Sequence, residues 1–322
     1  MNIRLTEWKQ DYFCSATEIG DETAPPFFEI FRKNEGEMRE YYVWFLKEFN
    51  FPEDAARELT EAYDKIYADR SVSARFNEII DRYRINPDAD VKKMIADVQA
   101  LQGADIHPYM LALILLIVLS SYLKDRYKER NLPADIWKNS MADLLYKCIE
   151  CKLVYNVWGV FTDWFAAFFY FGRFALGRLQ FEIGRASKDY AGLNFTLKKG
   201  EKVLSVHIPR TGSRLSREEQ VEAYKQAAEF FKPYFGKDKI VFCCNSWLLF
   251  PPVKQMLSAT SNLAAFISDY EVLETGLYDD FFEWSWRLYD SGEKNIDKLP
   301  QNTSLRRNYA EYIKSGKKSG WG

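Results

Sequence analysis

Apolar residues recur at three- and four-residue spacing through the first half of the chain, from about residue 36 to 176. This spacing places them on one side of a 3.6-residue turn and predicts amphipathic helices. Pro52 begins one such segment, and acids follow in its first turn, where the helix dipole favours them. Ser71 begins another, which stops near Asn86. Further helices are expected at 88–101, 107–130, 133–154 and 158–176.

One apolar run, at 109–123, approaches the composition of a membrane span. A span needs about 20 apolar residues, and this run is shorter and is followed at once by charged residues. We therefore expect a helix buried in the protein and no membrane. The aromatic stretch at 158–176 contains Asp163 and Arg173 and is expected to be a second core helix.

After residue 176 the pattern changes to the two-residue alternation of a strand, first at 177–186. Apolar segments at 193–197 and 202–209 flank a four-residue polar turn and predict a hairpin. A long amphipathic helix follows at 216–235. The run KIVFCC at 239–244 is short, apolar and rich in β-branched and aromatic residues, which predicts a central strand buried on both faces.

Two further strands are expected at 264–276 and 280–290, and a basic helix at the end of the chain, from residue 303. The sequence therefore predicts an α+β protein. An all-helical N-terminal domain would occupy residues 1–155 and a mixed α/β domain residues 156–322.

Composition narrows the class of protein. A formal net charge of −2 and a pI near 5.9 argue against binding nucleic acid through bulk positive charge. The five cysteines are odd in number and scattered, as reduced thiols are, and residues 1–13 lack the apolar core of a signal peptide. We therefore expect a cytoplasmic protein. Cys148 and Cys151 have no partner pair at zinc-site spacing, so no metal is expected.

The segment VLSVHIPRTGSRLSREE, at 203–219, leads from a strand through a glycine-bearing loop into a helix. Ser216 and Glu219 match a capping box and fix the start of that helix. Backbone N–H groups at a helix N-terminus attract anions, and the preceding loop carries arginines, hydroxyls and a glycine. Either the loop holds an anion such as a pyrophosphate, or it is an ordinary turn with solvated arginines. It matches neither a Walker A motif nor G-x-G-x-x-G, so neither a nucleoside triphosphate nor a Rossmann dinucleotide is supported.

Five blocks in this half resemble bacterial acyltransferase-domain proteins of the GNAT-like type, in which a helical domain precedes a GNAT-like domain. They are Val206-His207-Ile208-Pro209, Cys244-x-Ser246-Trp247-Leu248-Leu249-x-Pro251, Ser261-Asn262, Trp286-Arg287 and Leu299-Pro300-x-x-Thr303-Ser304-Leu305. The resemblance implies a GNAT-like C-terminal domain and acyl transfer from acyl-CoA, acetyl-CoA being the first expectation, to a small-molecule or peptide amine. The alternative is a non-catalytic ligand- or protein-binding module on the same fold.

The resemblance also implies that the loop after the fourth GNAT strand wraps the CoA pyrophosphate. The corresponding residues here are Ile208, Arg210, Thr211, Gly212, Ser213, Arg214 and Ser216. The common loop pattern has two glycines where this chain has one. This departure is one reason for the non-catalytic alternative.

Acyl transfer requires a base for the attacking amine and an acid for the leaving thiolate. His207 is a candidate base, since its reference pKa lies near 6.5, or else a core histidine bonded to the backbone. Glu182 is expected to face solvent, the alternative being that it assists a base through water. Cys244 could form an acyl intermediate or simply be a small buried side chain. Ser246 could donate a proton or cap a helix that begins at Trp247.

Two further sites are weighed in the same way. GNAT enzymes often place the acid, a tyrosine, on the helix after the central strand, but residues 247–258 contain none, which leaves Tyr270 and Tyr289 as later candidates. His107 precedes a proline at a helix start and is expected to be a cap.

Overall fold

The computed structural model describes residues 14–16, 33–86, 88–236, 239–280 and 282–322. Residues 1–13, on which the expected localisation depends, lie outside these ranges. From Glu35 to Tyr155 the described chain is helical. The bounds are α1 Glu35–Glu48, α2 Glu53–Ala68, α3 Arg70–Ile85, α4 Val91–Gln99, α5 Pro108–Glu129 and α6 Ala134–Tyr155.

Capping side chains begin several of these helices. Asn34 forms a capping box with Glu37 at α1, and Asp69 accepts the first-turn amides of α3. His107 caps α5 as expected, because its Nδ1 accepts the amide N–H of Tyr109 at 3.1 Å. The helices expected at 88–101, 107–130 and 133–154 are confirmed as α4, α5 and α6.

Helix α5 lies at the centre of the helical part. Its side chains from Leu111 to Leu123 are all buried. In the described part of the chain, α5 has the length and composition of a possible membrane span, but most of that stretch is enclosed by protein. The predicted core helix at 109–123 is thus confirmed.

The C-terminal part contains the remaining elements. The bounds of its strands and of β1 are β1 Cys14–Ala16, β2 Arg173–Leu176, β3 Leu179–Ala186, β4 Tyr190–Ala191, β5 Thr196–Leu197, β6 Lys202–His207, β7 Phe242–Cys243, β8 Gly276–Leu277 and β9 Gly320–Trp321. The helices are α7 Ala166–Phe169, α8 Arg217–Phe235, α9 Pro251–Met256, α10 Asn262–Ser268, α11 Phe282–Tyr289 and α12 Ser304–Lys314, with 3₁₀ turns at Trp247–Leu249 and Ile296–Lys298.

The main sheet has the order β1-β3-β6-β7, with β2 also paired to β3. β1, β2 and β6 run antiparallel to β3, whereas β7 runs parallel to β6 after the crossover through α8. β1 shows that the N-terminal segment adds a strand to the C-terminal sheet. The α+β class, with a helical part before a mixed sheet, is confirmed.

Five sequence predictions in this half are wrong. The first is the helix at 158–176, where the chain forms only the single-turn α7 and then strand β2. Phe171, at φ 60°, adopts a left-handed conformation that interrupts a helix. A continuous apolar run cannot distinguish a helix from other buried backbone by its period.

The predicted strands at 264–276 and 280–290 are instead α10 with a following loop and β8, and α11. Ser261 caps α10 by accepting the amide of Ala264 at 3.1 Å, a helix-start signal that the strand interpretation overlooked. In α11, Trp286 and Tyr289 are both buried, which is helical spacing.

The run KIVFCC forms only the two-residue β7, at the end of the described sheet order, and Phe242 is half-buried. The expected hairpin has its turn, where Gly200 has a positive φ of 84°, but β5 pairs with β4 and β6 pairs with β3. The hairpin was predicted from neighbouring segments and the central position of KIVFCC from its composition, and tertiary contacts decided both otherwise.

The helical and sheet parts share one core. The largest cluster of buried apolar side chains runs from Met38 in α1 to Ile267 in α10. The boundary between residues 155 and 156 therefore stays a prediction about sequence organisation, while the packing is continuous across it.

Candidate active site

Three charged or titratable side chains meet on one face of the sheet. Arg173 is directly opposite Glu182 in the β2–β3 register, and His207 lies two residues along β6 from Ser205, the partner of Glu182. Side chains two apart in a strand share a face. His207 Nε2 lies 3.3 Å from Glu182 Oε2, in a contact that is not aligned as a hydrogen bond. Arg173 donates from Nε to the same Oε2 at 3.0 Å.

Glu182 is only 4% exposed, so the expectation that it faces solvent is wrong. The reason is the buried guanidinium opposite it, which the predicted helix at 158–176 had placed elsewhere. Burial by itself raises the pKa of Glu182, but Arg173 and His207 outweigh it and lower the pKa to about 2. The carboxylate is therefore ionised throughout the neutral range.

The pKa of His207 lies below its usual 6.5. Burial is the main cause and the charge of Arg173 adds to it, while Glu182 acts in the opposite direction. The imidazole is thus neutral at pH 7, the form that can accept a proton. Because Nε2 is buried beside a carboxylate, the proton of the neutral ring belongs on Nε2, which leaves the Nδ1 lone pair as the acceptor.

Helix α6 covers this face of the sheet with a stripe of buried polar side chains. The stripe consists of Ser140, Asp143, Lys147 and Glu150. Lys147 donates to Glu150 at 2.8 Å, and Ser140 accepts the backbone amide of Ala175 in β2 at 3.0 Å. Burial raises the pKa of Asp143, against the attraction of Lys147. The helical part thus supplies a polar wall beside Arg173 and Glu182.

Strands β6 and β7 separate next to His207. Their pairing is limited to Leu204 with Phe242 and Ser205 with Cys243, whereas β6 continues to His207 beside β3. The chain after β7 turns away, because the backbone of Ser246 exchanges hydrogen bonds with Gly322 at 3.1 and 3.2 Å. Where the two strands diverge, their main-chain groups no longer pair with each other. A main-chain N–H at such a point can donate a hydrogen bond to the oxygen of a thioester.

The loop from Ile208 to Ser216 begins where β6 ends. Gly212 has a φ of 79°, and no atom lies within 4 Å of where a Cβ would be, so this turn is open to the outside. The Thr211 and Ser213 hydroxyls lie 2.8 Å apart. Arg178 braces the loop from β3's leading turn by donating to the carbonyls of Pro209 and Ser213 at 2.9 and 3.3 Å. The loop is therefore shaped by its neighbours and presents small polar groups outward.

The two arginines of this loop differ in surroundings. Arg210 binds Asp290 at 2.7 Å, and the other oxygen of Asp290 receives Arg306 at 2.8 Å. Arg214 is exposed. Asp290 follows the block around Trp286, and Arg306 follows the block around Ser304. Through the Arg210–Asp290–Arg306 network, these two blocks position the first residues of the loop. Of the two arginines of the loop, Arg214 is the more available cation.

The capping box at the start of α8 is confirmed. Ser216 accepts the amide of Glu219 at 3.2 Å, and Glu219 accepts the amide of Ser216 at 3.0 Å. Ser216 is thus occupied as a cap. The amides of Arg217 and Glu218 lie in the first turn, where no intrahelical acceptor exists, and are the ones available to an anion.

A cavity of about 730 Å³ lies on the α8 side of the diverging strands. Its lining includes Tyr224, Cys244, Asn245 and Tyr270. The hydroxyls of Tyr224 and Tyr270 are 2.8 Å apart and bridge α8 to the end of α10. Its volume falls in the usual range of small-molecule sites, but it does not include His207, which lies on the opposite face. The two regions meet at Cys244 and Asn245, where β7 leaves β6.

The remaining cysteines and the serine considered in the sequence analysis have different surroundings in the structure. Burial raises the pKa of Cys244 to about 12, so its thiol stays protonated in the cavity wall and is a poor nucleophile. Ser246 caps the 3₁₀ turn by accepting the amide of Leu248 at 3.2 Å, as one of its two interpretations had it. Cys148 and Cys151 are buried in α6, and burial raises the pKa of both thiols. Among the described residues, no three His, Cys, Asp or Glu side chains cluster as metal ligands would.

Arg173, Arg178 and Tyr224 are site residues that the sequence did not reveal. Arg173 was assigned to a helix, and Tyr224 sits in an amphipathic helix like any core aromatic. A usable signal was present for Arg173, since the residues 173–176 and 179–182 read as two short apolar strands around a Gly-Arg turn.

The β6–α8–β7 unit, with parallel strands that diverge beside a loop at a helix N-terminus, defines a GNAT-like sheet behind a helical domain. A family model of the N-acyltransferase N-terminal domain matches residues 43–171, and a model of the GNAT-like C-terminal domain matches residues 174–322. Together the two models cover most of the chain, which therefore consists of an N-acyltransferase N-terminal domain followed by a GNAT-like C-terminal domain.

Solved acyltransferase structures share this fold. One, in complex with decanoyl-CoA and teicoplanin, is 19% identical, with 92% of this chain and 90% of that chain covered and a TM-score of 0.61. Another, with CoA and 10C-teicoplanin, is 18% identical with the same coverage and a TM-score of 0.65. A tryptophan-to-alanine mutant with octanoyl-CoA is 20% identical, with 94% and 91% covered and a TM-score of 0.65. No curated protein matches the chain in sequence.

Proposed function

We propose that this protein transfers an acyl group from acyl-CoA to an amine, with His207 as the general base. The observation that carries the proposal is the position of His207. It is a half-buried, neutral imidazole whose buried Nε2 is held against Glu182, at the point where β6 and β7 separate and the 208–216 loop begins. The family supports acyl transfer as the type of reaction.

In this proposal the amine nitrogen attacks the thioester carbonyl carbon while His207 Nδ1 takes its proton. The carbon–sulfur bond then breaks, and the thiolate of CoA takes a proton. The proposed source is the hydroxyl pair of Tyr224 and Tyr270, because both line the cavity and both are protonated at neutral pH. Tyr270 was a candidate acid from the sequence, and Tyr224 is its hydrogen-bonded partner.

The co-substrate binds in two places. The pyrophosphate lies on the 208–216 loop, near Gly212, Arg214 and the first amides of α8. The pantetheine and acyl chain extend into the 730 Å³ cavity. A cavity of this size favours acyl chains longer than the acetyl group first expected. Structural neighbours crystallised with octanoyl- and decanoyl-CoA support this choice.

The acceptor is proposed to be a small-molecule amine that approaches His207 on the face lined by α6. Neighbours crystallised with teicoplanin support a small-molecule acceptor as the class. The cytoplasmic location remains a proposal that rests on composition.

Pyrophosphate binding is tested with two glycines that have a similar positive φ. Gly212 and Gly200 lie at opposite ends of β6, both with positive φ and open space around them. G212D places a carboxylate in the proposed phosphate site, and G200D places one in a remote turn. CoA at 100 times its Kd stabilises by about 2.7 kcal/mol, which raises Tm by roughly 5 °C. We expect G212D to abolish this rise and G200D to keep it. If both variants keep the rise, the proposed site is contradicted.

Catalysis is tested with the two histidines. H207Q is expected to lower kcat/KM about 10²- to 10⁴-fold while the Tm rise with CoA persists, and H107N is expected to leave both unchanged. Thiol release is followed with octanoyl-CoA and an amine panel. Binding of CoA by wild type without thiol release from any donor favours the non-catalytic alternative.

A further inference from the structure

Arg173 makes more contacts at the site than an ion-pair partner needs. It is 2% exposed and donates from Nε and Nη2 to the same carboxylate oxygen of Glu182. Its Nη1 donates to the backbone carbonyl of Trp164 at 2.7 Å. Its guanidinium carbon also lies 3.6 Å from the centre of the Trp164 ring. One side chain therefore fixes both Glu182 and Trp164.

Both partners of Arg173 contact His207. Glu182 faces its Nε2 at 3.3 Å, and the Trp164 ring meets the imidazole edge-on, with centroids 4.8 Å apart at 88°. Only a planar fork can bind a carboxylate, a carbonyl and a ring face at once, which lysine cannot reproduce. His207 is thus held on two sides by groups that Arg173 holds in turn.

The other charges on this face come from α6. Lys147 and Glu150 are paired with each other, and the buried Asp143 lies on the same stripe. The charges in direct contact with the imidazole or its carboxylate are those of Arg173 and Glu182. A change in the titration midpoint or the tautomer of His207 therefore reflects, before anything else, a change in the Arg173–Glu182 pair.

We propose that Arg173 is the positioning residue of the site: by clamping Glu182 and Trp164 it fixes the His207 ring with Nε2 toward the carboxylate and Nδ1 toward the reacting amine. The catalytic meaning rests on the proposed function, whereas the clamp itself is a property of the folded protein. Loosening it leaves Glu182 less neutralised. The titration of His207 should then move to higher pH, and the tautomer preference should weaken.

The test uses R173K, with R126K as the matched control. Arg126 is also 2% exposed, donates to the backbone carbonyl of Tyr83 and lies 4.4 Å from the Tyr83 ring centre, but in the helical part. The chain has two histidines, so ¹⁵N imidazole spectra of wild type and H107N assign His207 without ambiguity.

We expect wild type and R126K to show a neutral Nε2–H tautomer with a midpoint below 6.5. We expect R173K to show mixed tautomers and a higher midpoint. The acid limb of its pH profile of kcat should shift to higher pH together with that midpoint. The kcat should fall about tenfold or more, with little change in the KM for acyl-CoA. Spectra of R173K identical to those of R126K overturn the proposal.

If R173K does not fold, R173M/E182Q replaces it, since removing both charges of a buried pair is often tolerated. Because E182Q alone removes the carboxylate beside Nε2, that variant is compared with E182Q. A weaker Nε2–H preference in R173M/E182Q than in E182Q supports the clamp, and equal preferences overturn it. The spectra require neither CoA nor turnover. The spectra can therefore support the clamp even if G212D and G200D refute acyl-CoA binding. Failure of the clamp and failure of the proposed function are thus seen in different measurements.

Discussion

Replacing Glu182 should change how the stability of the protein depends on pH. The pKa of this carboxyl is about 2 in the folded protein against 4.5 ordinarily. One unit of pKa corresponds to about 1.4 kcal/mol, so the ionised form contributes about 3 kcal/mol of folding stability. A depressed pKa gives stability that is complete above 4.5 and is lost as the pH falls toward 2. By pH 3, about 2 kcal/mol should be gone.

The assay is urea unfolding between pH 7 and 3 for H207Q and H207Q/E182Q. Carrying H207Q in both proteins removes the imidazole, whose lowered pKa causes its own loss of stability as the pH falls below 6.5. At pH 7 the second substitution should cost about 3–5 kcal/mol, because it leaves Arg173 buried and unpaired. This difference should shrink toward pH 3, by less than the roughly 2 kcal/mol of the wild-type site, because H207Q also removes the part that His207 plays in lowering the pKa of Glu182. A difference that stays constant over this range contradicts the assigned ion pair.

A third protein separates the charge effect from packing. R173M/E182Q removes both charges. Its loss in the free energy of unfolding should be far smaller than the sum of the losses caused by R173M and E182Q alone. Additive costs would mean that Arg173 and Glu182 act independently, against their contact in the structure.

Three more substitutions test other parts of the site. S216A removes the capping box of α8 and should cost about 0.5–2 kcal/mol in urea unfolding; an unchanged midpoint is evidence against the cap. D290N keeps the left-handed backbone but releases Arg210, so calorimetry should show weaker CoA binding, and an unchanged Kd would separate this network from the loop. Asp143 has a raised pKa, so its ionisation opposes folding as pH rises above 3.8; the Tm of D143N relative to wild type should increase from pH 4 to 7, and a constant difference contradicts the burial argument.

The helical part could be predicted from sequence because its signals are local. The apolar period and a proline at a helix start act within one helix, and α4, α5 and α6 followed the predictions. Ser71 was predicted to begin α3, but Asp69, two residues earlier in the chain, is its cap. The loop could be predicted for the same reason, since the Ser216–Glu219 capping box spans four residues.

The sheet and its charges could not be predicted so well, because they depend on pairing between distant segments. Arg173 was placed in a helix, and without it nothing explained why a carboxylate should be buried at position 182. The resemblance supplied the order of elements but not the side chains that meet. His207 was found because histidines are rare here, whereas Tyr224 became visible only when α8 packed beside Tyr270.

The site also explains why the helical part and the sheet share a core. Glu182 and Arg173 are charged groups on a sheet face, and such a face is stable away from water only under a polar cover. Helix α6 supplies that cover with Ser140, Asp143, Lys147 and Glu150, so the N-terminal half takes part in building the site. Burial and the charge of Arg173 hold His207 neutral, while the opposite face remains for α8 and the cavity. In this arrangement the proposed base and the proposed acyl-CoA site occupy different faces and meet only where β6 and β7 diverge.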